Sequence, residues 1–170
     1  MTLQDYQVLT SRTNTDLGSK AINAAHCTLG IVGEWNEAWD ESISFTRGWG
    51  ATKESVTYEY TDTCWYISEL ANLFNLELKI LPSIQLNETS KEMAWIAENI
   101  KKYLAYNKDI NTDQLGDALN KIITRCQYEI ENIIGGYTFE EALQMNIDKL
   151  RKRFPEKFDA SLAVAQNDMK

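Results

Sequence analysis

Apolar residues recur along this chain at steps of three, four and seven, the spacing of helical faces, and no segment alternates convincingly over strand length. Ile22, Ala25, Leu29, Val32, Trp39 and Ile43 make one such stripe. It predicts a long helix to about Phe45, capped by Asp16 or Ser19, with those residues as its buried seam. A short helix from Leu3 to about Arg12 precedes it. Arg47-Gly48-Trp49-Gly50 breaks the pattern, and Thr52 is placed to cap a third helix to about Phe74. Asn75 to Asn87, with Pro82, reads as a connector. Thr89-x-x-Glu92 and Thr138-x-x-Glu141 are capping boxes. The first opens a fourth helix to about Tyr106. The second opens a sixth helix that stops at Arg153, before Pro155. Between them a polar turn, Asn107 to Asn111, leads to a fifth helix capped by Thr112 and ended near Ile134 by Gly135-Gly136. The tail after Phe158 reads as a loose arm. The expected fold class is all-α, a helical bundle.

Composition agrees. The chain has 170 residues with 2 prolines and 8 glycines, too little punctuation for a turn-rich sandwich or barrel. Its length suits a single domain. The net charge of −8 argues against a nucleic-acid polymer or an anionic membrane as partner. The N-terminal residues lack a signal-like apolar run, and no stretch approaches the ~18 apolar residues of a membrane span. Cys27, Cys64 and Cys126 are odd in number and show no Cys-x-x-Cys spacing. Reduced cysteines in a cytoplasmic protein, with Cys27 and Cys64 packing in the core, are the reading that follows.

The candidate chemistry is acidic. Glu34 and Glu37 are three apart on the second helix, and Glu59 and Asp62 three apart on the third. Such pairs share a helix face, so two antiparallel helices can bring four carboxylates together. Gathered carboxylates repel unless a cation sits among them, and hard oxygen ligands favour Mg²⁺ or Mn²⁺. Asn23, His26, Gly30, Gly33, Glu34 and Glu37 fall in one wedge of the second helix, at ~100° per residue. Its two glycines leave room where a ligand would lie. Glu59, Asp62, Tyr66 and Glu69 share a face of the third helix. A solvated acidic face is the plain alternative. A di-iron centre is disfavoured, because Glu-x-x-His is absent and His26 is the single histidine.

Leu29 to Glu37 resembles the first metal-binding helix of the MazG-like, all-α nucleoside triphosphate pyrophosphohydrolases. Glu59 to Tyr66 resembles their second. Asn146-x-x-Lys149-Leu150-x-x-Arg153-Phe154-Pro155 is similar to their C-terminal element, with Phe154 where tyrosine is usual. Tyr6-Gln7 and Arg12-Thr13 resemble the usual lead-in. The resemblance implies a four-helix-bundle core with additional helices. It also implies Mg²⁺, with Mn²⁺ as a substitute, held by Glu34, Glu37, Glu59 and Asp62. Phosphate contacts would come from Lys149 and Arg153, with Asn146 nearby. The implied reaction converts a nucleoside or deoxynucleoside triphosphate to the monophosphate and pyrophosphate, and so controls a nucleotide pool. A phage-type enzyme acting on a deoxynucleotide such as dGTP is one specialisation.

On this reading residues 1–170 are one domain. About 17–75 is the metal-binding helix pair, about 87–134 a degenerate second pair, and 138–158 the phosphate-binding helix. Glu92-x-x-Trp95 and Gln114-Leu-Gly-Asp117 are the remnants of the second pair, with two of four acids gone. Glu34 or Glu37 is the expected general base. Lys53, with Arg47, would offset charge on the leaving pyrophosphate. Asn23 and His26 would read the base edge or the sugar. Trp35, Trp39, Trp49, Trp65 and Tyr66 are stacking candidates, with Trp39 expected mostly to pack. The expected assembly is a homodimer or a dimer of dimers. The competing class is a non-catalytic helical interaction module on the same fold.

Overall fold

The computed structural model describes residues 1–83 and 89–155. Six α-helices, α1 (Leu3–Thr10), α2 (Lys20–Thr46), α3 (Lys53–Leu73), α4 (Thr89–Tyr106), α5 (Thr112–Tyr128) and α6 (Phe139–Arg153), account for most of the regular structure, with no strand among the described residues. The chain is all-α. No described helix is long and apolar enough to cross a membrane.

The helix ends follow local chemistry. The Ser19 hydroxyl accepts from Ile22 N and caps α2. Asp16 is not the cap, since its carboxylate takes Gly18 N at 2.9 Å and the Asn23 amide at 3.0 Å. Thr52 and Thr138 each close a capping box, with Ser55 and Glu141. For α5 the cap is Asn111, whose side chain accepts from Gln114 N, and Thr112 is the first helical residue. Thr89 is likewise the first residue of α4, and Glu92 reaches Lys121 at 3.1 Å instead of turning back on its own helix. Asn75 and Asn107 end α3 and α4 with φ of 54° and 52°, the left-handed conformation that asparagine tolerates. Past Tyr128 the α5 axis widens into a π-helical turn, Glu129–Ile134, which Gly135 ends at φ 66°. The second part of the expected connector and the tail after Phe158 lie outside the described residues.

α2, α3, α4 and α5 form the bundle. Lys20 at the start of α2 lies 4.3 Å over the Phe74 ring just past the end of α3, so the two run antiparallel. Phe74 also meets Tyr103, near the end of α4, at 5.8 Å. The connector after α3 runs back along α5, where Lys79 N donates to Asn120 at 2.8 Å and Leu81 N to Thr124 at 2.9 Å. α1 and α6 pack on α3 and on each other. Ile31, Ile67, Leu70, Ile96, Leu115, Leu119, Ile122 and Ile123 fill the centre at 2% exposure or less. Each contributes on the order of 1.5–3 kcal/mol by leaving water.

The buried face of α2 is not the stripe its apolar pattern indicates. Ala24, Cys27, Thr28, Ile31, Trp35, Ala38 and Ser42 face the core. Ile22, Leu29 and Trp39 are 46%, 74% and 48% exposed. The expected packing role of Trp39 passes to Trp35, which meets the Tyr60 ring edge-on at 5.7 Å. All three cysteines are buried and reduced.

Candidate functional site

A cavity of about 490 Å³ opens where α2, α3 and α6 meet the loop after α1, lined by Thr13, Thr15, Leu17, His26, Glu34, Asp62, Trp65, Tyr66, Lys149, Leu150, Arg153 and Phe154. It divides by chemistry. Carboxylates enter from α2 and α3, cations come from α6, and Leu17, Trp65, Tyr66, Leu150 and Phe154 make an apolar wall.

Glu34, Glu59 and Asp62 bring one carboxylate oxygen each within 4.8 Å of one another. Burial, and then the neighbouring charges of Asp62, Glu37 and Glu59, push the Glu34 carboxyl up to about 7, while Lys149 works against that rise. Three hard oxygen donors at this spacing fit a small divalent cation better than a soft one. Glu37 sits one turn further along α2, exposed and outside this group, near enough to perturb Glu34. Three of the four expected ligands are therefore gathered. Glu69 is not with them, being only 1% exposed. Its carboxylate accepts from Thr10 Oγ1 at 2.5 Å and Asn72 Nδ2 at 3.2 Å, and ties α1 to α3.

Asp62 is held by α6. Asn146 Nδ2 donates to its Oδ1 at 2.7 Å, and Lys149 Nζ pairs with its Oδ2. Asn146 is fully buried. Its Oδ1 accepts from the Tyr6 hydroxyl at 2.8 Å, with the Thr61 carbonyl a second acceptor for that hydroxyl at 3.1 Å. Burial holds the Tyr6 phenol well above its ordinary range, so it is a permanent donor. A three-residue chain thus runs from α1 through α6 to the carboxylate on α3. Arg153, one turn after Lys149, lines the same cavity.

The apolar wall is also fastened. Trp65 Nε1 donates to Thr13 Oγ1 at 3.0 Å. The Trp65 and Tyr66 rings meet edge-on at 4.9 Å, and His26 meets Tyr66 edge-on at 5.6 Å. Gly30 makes this possible, since a Cβ there would lie 2.3 Å from Tyr66 Cδ1. The space opened by Gly30 is filled by Tyr66, whereas Gly33 faces open space. Burial and the Glu34 carboxylate push the Tyr66 phenol up to about 12.

Of the other expected site residues, His26 lines the cavity and Asn23 and Lys53 do not. The Asn23 amide is spent on Asp16, and its oxygen on Leu17 N at 2.8 Å, closing the turn before α2. Lys53 lies at the far end of α3 over the Gly135-Gly136 turn. Arg47 stacks 4.6 Å from the Trp49 ring in the loop between α2 and α3. Among the stacking candidates, Trp65 and Tyr66 reach the cavity, and Trp35, Trp39 and Trp49 do not. Thr15 and Leu17 had no sequence signal as site residues, and Leu150 stood only as a member of the C-terminal element. Tyr6 stood only in the lead-in, and Thr13 beside Arg12. In the second helix pair, Lys121 stands between Glu92 at 3.1 Å and Asp117 at 2.8 Å, so an ammonium occupies the space between those two acids.

Compared with models of known protein families, with curated proteins and with solved structures, the chain gives no match.

Proposed function

We propose that this chain is a Mg²⁺-dependent pyrophosphohydrolase of the MazG-like kind, converting a nucleoside or deoxynucleoside triphosphate to the monophosphate and pyrophosphate. One observation carries the reading. A cavity large enough for a nucleotide is lined by Glu34 and Asp62, which share a carboxylate cluster with Glu59, by two α6 cations and by an aromatic wall. The −8 chain would repel a bare polyphosphate. Glu34, Glu59 and Asp62 are the residues that would hold Mg²⁺ against it. When bound, that ion supplies charge neutralisation and Lewis acidity at the phosphate oxygens.

The chain's own residues divide the remaining work. Lys149 and Arg153 face the polyphosphate and stabilise charge that develops as the bond between the α- and β-phosphates breaks. Trp65 and Tyr66, fixed by Thr13 and Gly30, present ring faces and edges to the base. Glu34 reaches the cavity with a carboxylate and takes the proton of the water that attacks the α-phosphorus. Pyrophosphate then departs, and its charge is met by the same two cations. The purpose of such a reaction is control of a nucleotide pool, in the cytoplasm of a cell.

The test is product analysis across the standard ribo- and deoxyribonucleoside triphosphates with Mg²⁺, then with Mn²⁺. Monophosphate plus pyrophosphate, lost in Glu34→Gln and Asp62→Asn, is the expected result. Diphosphate plus phosphate would place the attack at another phosphorus. No turnover by the folded chain with either ion would replace this reading with that of a non-catalytic module.

A further inference from the structure

Asp62 is gripped from two sides that differ in kind. On one side stands the enclosed chain of Tyr6 and Asn146, both at 0% exposure, with hydrogen bonds of 2.8 and 2.7 Å. Neither side chain has room to leave. On the other side is the ammonium of Lys149, whose side chain keeps 31% of its exposure. It rides on a flexible four-carbon stem, with Nζ 5.0 Å over the Tyr58 ring. The same side chain lines the cavity one turn from Arg153. Asp62 Oδ1 is therefore permanently committed. Oδ2 carries a partner that can move away, and Asp62 shares the carboxylate cluster with Glu34 and Glu59.

We propose that Lys149 is the built-in counter-ion of this cluster, seated on Asp62 in the ion-free chain and released toward the cavity when a divalent cation takes the carboxylates. The inference rests on the reading of Glu34, Glu59 and Asp62 as a cation site. It adds an order of events. Before an ion arrives, Lys149 limits repulsion among the carboxylates and stays off the substrate wall. Afterwards, repulsion from the ion and loss of Oδ2 drive the ammonium outward, where it joins Arg153 in facing phosphate. Ion and polyphosphate then favour each other's binding through one side chain, and the coupling is reciprocal. Lys121, between Glu92 and Asp117, shows the same device in a permanent form, with two acids and, among the described residues, no third carboxylate grouped with them to compete for the ammonium.

The experiment uses the full chain labelled with ¹³C at lysine Cε and titrated with Mg²⁺ alone. The Lys149 signal is assigned by its loss in Lys149→Met, and calorimetry is run on the same samples. The Lys149 signal should move as the ion binds, leaving the Tyr58 ring, and saturate at the same ion concentration as the heat. Lys149→Met should bind Mg²⁺ roughly three- to tenfold more tightly, the worth of one partly exposed ion pair removed. Lys149→Arg, which keeps the charge, should not tighten. Glu34→Gln should abolish the binding, tying it to this cluster. Binding that Glu34→Gln removes, with an unmoved Lys149 signal and unchanged affinity in Lys149→Met, overturns the counter-ion role and leaves the cation site standing. No heat and no signal change in either folded chain at millimolar Mg²⁺ overturns the cation site itself, and this role with it.

Discussion

Glu34→Gln tests the electrostatics of the site without reference to catalysis. In the folded chain the Glu34 carboxyl titrates at about 7, against an ordinary value of 4.5, because burial comes first and the charges of Asp62, Glu37 and Glu59 add to it. A carboxyl with a raised folded pKa binds more protons folded than unfolded between those two values. Stability therefore falls as pH rises through that window, and the whole loss is present above about 7. The rise is about 2.5 pH units, a ceiling near 3.4 kcal/mol at 1.36 kcal/mol per unit. Glu34 keeps solvent along the cavity, so screening lowers the working figure to about 1–2 kcal/mol. Glutamine matches the protonated form in shape and polarity and cannot ionise. Urea midpoints of both chains, with chelator present, should coincide near pH 4. They should separate through neutrality, leaving Glu34→Gln the more stable by about 1–2 kcal/mol at pH 8. Millimolar Mg²⁺ at pH 8 should raise the wild type and not the variant, closing or reversing the gap. A gap independent of pH, or a variant less stable than wild type at pH 8 in chelator, would refute the claim that unneutralised carboxylates crowd this position.

Asn146→Ala should cost about 1–3 kcal/mol in urea unfolding, because it strips Asp62 Oδ1 of a buried donor and leaves the Tyr6 hydroxyl only the Thr61 carbonyl. Gly30→Ala should destabilise by about 1–3 kcal/mol and shift the Tyr66 ring resonances, since its Cβ would meet that ring at 2.3 Å; an unshifted ring with an unchanged melting temperature would contradict the close approach. Glu37→Gln should change Mg²⁺ affinity by less than roughly threefold in calorimetry, whereas Glu59→Gln should weaken it by more than roughly tenfold. Equal losses would place Glu37 inside the cation site.

Helix existence and most helix starts were legible in the chain because caps are local. Ser19, Thr52 and Thr138 each bond a backbone N–H three residues on, and that geometry requires nothing from the rest of the fold. The buried face of α2 was not legible, for a reason visible in its hydrogen bonds. Thr28 Oγ1 donates to Ala24 O and Ser42 Oγ to Ala38 O, both at 2.8 Å. A hydroxyl satisfied by its own helix behaves as a small apolar group. Gly30 lets Tyr66 of α3 come close, and the Ser42 hydroxyl meets that of Tyr60 at 3.2 Å. A pattern scored by hydrophobicity passes over Ala24, Thr28, Ala38 and Ser42. It selects the larger Ile22, Leu29 and Trp39, which the fold leaves partly in water.

The acids show a second limit. A helical wheel gives azimuth, and azimuth groups Glu34 with Glu37 and Asp62 with Glu69. Whether a side chain joins a cluster depends on height along the neighbouring helix and on what else competes for it. Glu37 lies a turn past the point where α2 and α3 bring Glu34, Glu59 and Asp62 within 4.8 Å. Glu69 lies two turns beyond Asp62, where Thr10, Ser11 and Asn72 claim it. The contact at the deepest part of the site escapes any local pattern, although Asn146 itself stands in the C-terminal element. Tyr6 and Asn146 are 140 positions apart, and neither is unusual on its own helix. Their contact exists because α1 and α6 both pack on α3, and it fixes which way the Asn146 amide faces. With its oxygen taken by the Tyr6 hydroxyl, the NH₂ has to face Asp62 Oδ1, so Oδ2 is left to the Lys149 ammonium. A phenol at the start of the chain thereby decides which oxygen of a carboxylate in the middle meets the amide and which meets the ammonium, and Tyr6→Phe, which lets the amide turn over, should loosen Asp62 while leaving the packing of its ring in place.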